Sequence, residues 1–126
     1  MPFKFNPFTG TLDVVNTSSG SGGGGIVDSG SYGSPISITG SISAPTNQRQ
    51  RTFVVGTSAV VNPTLGTGST DDEWWLFGTS DTNTIELNSA SNLLLSGKII
   101  IKLGTILCLH WIDGLAKWVE EGRNEI

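Results

Sequence analysis

At 126 residues the chain has room for one compact domain and an arm, and its 14% of charged side chains lies well below the roughly 25% of an ordinary soluble domain. The formal net charge of −4 is uneven: Lys4, Arg49 and Arg51 stand against Asp13 and Asp28 in residues 1–70, whereas residues 71–126 carry the excess of acids. Neither half clusters the Lys and Arg that a nucleic-acid surface needs to neutralise phosphates, and nothing approaches 18 consecutive apolar residues, so neither nucleic acid nor membrane is an expected partner.

The chain opens with MPFKFNPFTGTLDVV, in which Pro2 and Pro7 oppose a helix and Thr9-Gly10 reads as a turn. The stretch lacks a basic start followed by an apolar run, so no secretory signal is expected. Phe3, Phe5, Phe8, Leu12 and Val14 make it an apolar arm over residues 1–15. Removing each large side chain from water contributes about 1.5–3 kcal/mol, which makes these five the candidates for docking on another surface or, alternatively, for covering the protein's own core. NTSSGSGGGG follows, and residues 16–29 read as a Gly- and Ser-rich linker. The body is expected over residues 30–126.

Within the body, Ile36, Ile38 and Ile42 alternate partly with polar residues after Pro35, and TNQRQRT precedes the apolar FVVG. If that piece is extended, Arg49 and Arg51 share a face. VNPTLGTGST is expected to be a loop; it has no phosphate-binding signature. DDEWWLFG places three acids before an aromatic strand, in which Trp74 and Trp75 must point to opposite faces. Asp71, Asp72 and Glu73 lack the further oxygen ligands of a calcium loop. In KIIIKL, Ile99, Ile101 and Leu103 form a core face opposite Lys98, Ile100 and Lys102. Many strand-length pieces separated by Asn, Ser and Gly indicate a meander, a sandwich or β-helical rungs rather than βα units.

GTILCLHWIDGLAKWVEEG, residues 104–122, reads either as an amphipathic helix or as two strands. A helix would scatter its apolar residues around the cylinder and carry Gly114 in its middle, at about 1 kcal/mol relative to Ala. Two strands fit better: Leu107, Leu109 and Trp111 share one side, Asp113-Gly114 opens a turn, and Lys117-Trp118-Val119-Glu120 returns. Cys108 and His110 then point the same way, about 6.5–7 Å apart along the strand. That spacing supplies neither the hydrogen bond nor the orienting group of a nucleophile pair. A single Cys and a single His also leave a zinc site without its usual donors, so no catalytic residue, metal or cofactor is expected.

Two pieces resemble virion proteins of tailed bacteriophages. KFNPFTGTLDVV resembles a leader of phage structural and fibre-like proteins, where it implies attachment of the subunit to the particle. FGTSDTNTIEL together with GTILCLHWIDGLAKWVEEGRN is similar to the end of modules in phage fibre and head-surface proteins. The shared pattern is an apolar strand carrying Trp111, the turn Asp113-Gly114, then Trp118, Glu120, Arg123 and Asn124. Leu115-Ala116 in the turn and Glu121-Gly122 before Arg123 depart from it.

The resemblance implies an all-β protein, a compact sandwich or a trimeric β module of short antiparallel strands behind an extended arm. It implies a structural role in the virion rather than an enzymatic one: a capsid decoration or cement protein, self-associated as a homotrimer, whose arm binds the major capsid protein. Trp74, Trp75, Leu107, Leu109, Trp111 and Trp118 are then oligomer-interface or core residues. The rival expectation is a short tail or head fibre that binds host-surface carbohydrate. A sugar hydrolase would need a carboxylate pair drawn from residues such as Glu86, Glu120 and Glu121, and a plain carbohydrate-binding module would need exposed Trp side chains.

Overall fold

The computed structural model describes residues 25–125, so the expected arm lies outside the described residues. Twelve strands and no helix occur among them. The all-β class is therefore as expected, but the arrangement is solenoid-like rather than a sandwich.

Strand β4 (Arg49–Gly56) runs parallel to β1 (Val27–Ser29) and β2 (Ile36–Ile38) on one side and to β7 (Glu73–Gly78) on the other. Val27 lies beside Gln50, a step of 23 residues, and Arg49 beside Glu73, a step of 24. Two further walls repeat at a similar interval. β3 (Ser41–Ile42) is parallel to β6 (Thr64–Leu65), and β5 (Val60–Val61) is parallel to β8 (Ile85–Leu87). The chain thus winds in short three-walled coils whose inward side chains stack into one core.

Most pairings are parallel, against the antiparallel expectation. The physical reason is that a short apolar run ending in a Gly or Asn turn looks the same whether its neighbour is the next strand or one coil later. Two expected boundaries move for the same reason. Val27–Ser29, the end of the stretch read as linker, form β1, and the expected loop after Val60 contains β6 with Leu65 only 2% exposed.

After β8 the winding changes. β9 (Leu93–Leu94) is followed by β10 (Ile99–Ile101), which returns antiparallel along β8. Ile99 and Ile101 are buried as expected; Leu103 is exposed, because the strand ends at Ile101 and Thr105 N–H donates to Lys102 O at 3.0 Å across a turn.

The last two strands, β11 (Ile106–Ile112) and β12 (Lys117–Asn124), form the hairpin expected at Asp113-Gly114. β11 pairs with β7, and β12 pairs with β9, next to which Asn92 donates to Leu65 O of β6 at 2.6 Å. The hairpin therefore bridges from the first wall to the third and closes that end of the solenoid.

Candidate functional site

The closed end is filled by three indoles. Trp74 and Trp118 have ring centroids 5.0 Å apart, and Trp111 and Trp118 are 5.4 Å apart. A buried indole N–H needs an acceptor, and each has one. Trp74 donates to Thr52 Oγ1, Trp118 to Gly66 O and Trp111 to Asp113 Oδ1, all at 2.8 Å. Gln50 Nε2 also donates to Thr52 Oγ1, at 3.0 Å, so this polar pair of β4 is buried to serve Trp74. Of the residues singled out in the sequence as interface or core, Trp74, Leu107, Leu109, Trp111 and Trp118 are brought together in this core.

Trp75 takes the other face of the main sheet. There the coil step of 24 residues lines up Arg49 with Glu73, Arg51 with Trp75 and Phe53 with Phe77. The Arg49 guanidinium lies 5.9 Å from the Trp75 ring and 3.4 Å from Glu73, while Arg51 lies 6.0 Å from the Phe77 ring and pairs with Asp28 at 2.6 Å. Tyr32, from the turn between β1 and β2, packs edge-on to Phe53 at 5.1 Å, and Phe53 sits 4.8 Å from Phe77. Tyr32, Phe53 and Phe77 escaped the sequence reading. Their stacking depends on the coil register, and the signal that could have found it was the recurrence of an aromatic one coil on.

Cys108 and His110 share this outward face, as the strand spacing requires. A β-bulge opposite Cys108 and Leu109 inserts Glu121, whose carboxylate accepts from the Cys108 thiol at 3.8 Å and lies 3.3 Å from His110 Nδ1. Burial, reinforced by Glu121, pushes the thiol up to about 11. It stays protonated at neutral pH and is a poor nucleophile. The run of three acids is split: Asp72 is buried and accepts from Ser69 N–H at 2.9 Å, Glu73 pairs with Arg49, and Asp71 is solvent-facing. Among the described residues no group of three or more His, Cys, Asp or Glu is placed to hold a metal ion.

The opposite end of the solenoid is unlike the hairpin end. β1 and β2 pair only with β4, and β3 only with β6, so among the described residues the first coil presents an unpaired strand edge. Exposed apolar side chains gather there: Ile26 at 43%, Val27 at 43%, Tyr32 at 51% and Ile36 at 40%. Beside Ile36 opens a recess of about 270 Å³, also lined by Ser29, Ile42, Thr46, Gln50 and Thr52. Gly30, with φ of +77°, makes the turn that separates β1 from β2.

No family model and no curated protein matches this chain.

The open coil is thus the candidate functional site on geometry alone. It combines backbone donors and acceptors that have no strand partner among the described residues, an apolar rim and a recess. Those are the elements of strand addition, in which main-chain hydrogen bonds supply affinity and side-chain pockets supply selectivity. Phe3, Phe5, Phe8, Leu12 and Val14, the expected attachment residues, lie outside the described residues.

Proposed function

We propose that the chain is a structural protein of a tailed-phage virion, a capsid decoration or cement subunit that self-associates as a homotrimer and binds the major capsid protein of the head through its N-terminal arm. The reading starts from the resemblance of KFNPFTGTLDVV and of the C-terminal Trp, Asp-Gly, Trp pattern to such proteins. The observation that supports it is the open first coil: among the described residues its strands have an unpaired edge, with Ile26, Val27, Tyr32 and Ile36 exposed, which suits assembly. Each such side chain would contribute up to about 1.5–3 kcal/mol on being fully covered. Repeated over several subunits, modest contacts act as one strong attachment. The outcome would be reinforcement of the shell by binding, without turnover.

Carbohydrate binding through a Trp platform draws less support, because three of the four Trp side chains lie in the core and Trp75 is half-buried under Arg49. Removing residues 1–15 tests the attachment: particles exposed to the shortened chain should carry none of it, measured as copies per particle by gel densitometry. Unchanged occupancy would overturn the reading. Light scattering of the intact chain should give the mass of a trimer, and a clean monomer at working concentration would remove the self-association from it.

A further inference from the structure

We infer that Asp113-Gly114 is a latent isomerisation site: Thr70 and Trp111 keep it in the aspartyl form while the hairpin end is closed, and it converts to isoaspartate when that end opens.

The site begins with an exposed peptide bond. Asp113 and Gly114 both face solvent at the tip of the β11–β12 hairpin. A Cβ at Gly114 would meet nothing within 4 Å, and the residue lies outside the left-handed region, so the turn does not need glycine there. The missing Cβ instead leaves the Gly114 nitrogen open to the carboxyl one residue back. The Leu115 and Ala116 N–H groups donate to Ile112 O and Asp113 O, both at 3.1 Å, whereas the Gly114 N–H donates to no described residue. Attack of that nitrogen on Asp113 Cγ forms a C–N bond, and the amide proton leaves with the carboxyl hydroxyl as water. The cyclic imide then takes up one water. Cleavage at Cγ restores aspartate, and cleavage at the main-chain carbonyl gives isoaspartate, with the backbone now running through Cγ. No oxidant or cofactor enters, and the mass of the chain is unchanged.

The folded chain holds this reaction off. Trp111 Nε1 donates to Asp113 Oδ1 at 2.8 Å and Thr70 Oγ1 donates to Oδ2, so both carboxylate oxygens are engaged. A carboxyl fixed by two donors is not free to swing onto the Gly114 nitrogen. Both bonds also favour its ionised form, Thr70 more than Trp111, and hold it below the ordinary carboxylate range. The ionised form is the poorer electrophile, because its oxygen must be protonated before it can leave. Thr70 lies in the turn before β7 and Trp111 in β11, so the clamp exists only while these two elements and the hairpin tip are together. Isoaspartate carries its free carboxylate directly on Cα, one carbon nearer the backbone, which takes it out of this clamp. The part-buried indole N–H of Trp111 would then lack its acceptor, so conversion loosens the end that had prevented it.

The test holds full-length chains at neutral pH and counts isoaspartate by methyl transfer from S-adenosylmethionine with an isoaspartyl methyltransferase, the position being fixed by peptide mapping. Thr70→Val should form isoaspartate at residue 113 about five- to tenfold faster than the native chain, the factor expected when one hydrogen bond to a charged group is lost. The native chain unfolded in urea should be at least as fast. Thr70→Ser, which keeps the hydroxyl, should match the native rate, and Gly114→Ala added to Thr70→Val should abolish the excess by crowding the attacking nitrogen. Equal rates for the native and Thr70→Val chains would overturn the inference, as would excess methylation that maps to another residue or survives Gly114→Ala. A Thr70→Ser chain as fast as Thr70→Val would show that the loop, not the hydroxyl, sets the rate, and would overturn the assignment of Thr70 as guard. In the converted fraction the indole N–H resonance of Trp111 should move; an unmoved resonance would mean that the clamp survives conversion and would remove the proposed loosening.

Discussion

At one end of the solenoid Trp74, Trp111 and Trp118 lie inside, with each indole N–H bonded and a hairpin drawn from the first wall to the third. At the other end β1, β2 and β3 each have a neighbour on one side, and Ile26, Val27, Tyr32 and Ile36 face solvent. Both ends belong to the same stack of coils and face the same problem, because the last strand of any stack has unpaired N–H and C=O groups and half-covered apolar side chains. At one end large, polar-tipped rings fill the core beneath the hairpin, while Leu94, Ile112 and Leu115 stay exposed. At the other the described residues contain no solution.

The sharpest way to break that comparison is to truncate one residue at each end. Trp118 is fully buried, touches Trp74 and Trp111, and donates to Gly66 O. Trp118→Ala should cost about 3–5 kcal/mol of unfolding free energy, since it leaves a cavity and an orphaned carbonyl. Ile36→Ala, on the open coil, should cost less than about 1 kcal/mol. Urea denaturation of the two full-length variants measures both; similar losses would mean that the ends are not divided as described. A finer probe of the sealed end is Gly68. A methyl group there would sit 2.6 Å from Trp118 Cζ2 and 2.9 Å from the Trp111 ring, and neither ring can swing away from a filled core. Gly68→Ala should cost about 1–3 kcal/mol by overpacking, and a neutral outcome in the same assay would show the indoles to be loosely held.

The difference between the ends also explains what could be read in advance. The hairpin was legible because its information is local: Leu107, Leu109 and Trp111 alternate over adjacent positions, and Asp113-Gly114 marks the turn between them. The open coil was not, because its identity depends on the pairing of Val27 with Gln50 and of Ile36 with Val54, residues far apart in the chain. The burial of Gln50 and Thr52 was not legible for the same reason. They lie in the polar run TNQRQRT, yet they are buried, and Thr52 accepts from Trp74 of the next coil. The alternation of Trp74 and Trp75 was legible; which of the two faced the core was not.

Acid should act through the sealed half. Glu120 of β12 accepts from Arg123 at 2.7 and 2.8 Å and from the N–H and hydroxyl of Ser96 at 3.0 and 3.1 Å, while Arg123 also donates to Gly97 O and Lys98 O. Hydrogen bonding to Arg123 is the main cause that lowers its carboxyl from the ordinary 4.5 to about 2; partial burial opposes the shift and Ser96 adds to it. A depressed folded-state pKa means that the stabilisation is present above about pH 4.5 and is lost as pH falls toward 2. The melting temperature should decline across that window, and Glu120→Gln should flatten the decline while lowering the value at pH 7. A variant with the native acid slope would place the acid sensitivity elsewhere.

The smallest effect lies in the hairpin turn itself. Ala116 N–H donates to Asp113 O at 3.1 Å, and Ala116 has φ of +54°. A left-handed conformation costs a residue with a Cβ about 1–2 kcal/mol, whereas glycine adopts it freely but loses about 0.5–1 kcal/mol in unfolded-chain entropy. Glycine therefore belongs at 116, one position from the end of the loop, rather than only at 114 where the sequence carries it. Ala116→Gly should raise stability by up to about 1 kcal/mol in urea denaturation and leave self-association unchanged, because nothing at this tip touches the open coil. A destabilised variant would mean that the chain reverses through a different turn, and a change in oligomer mass would mean that the hairpin end also takes part in assembly.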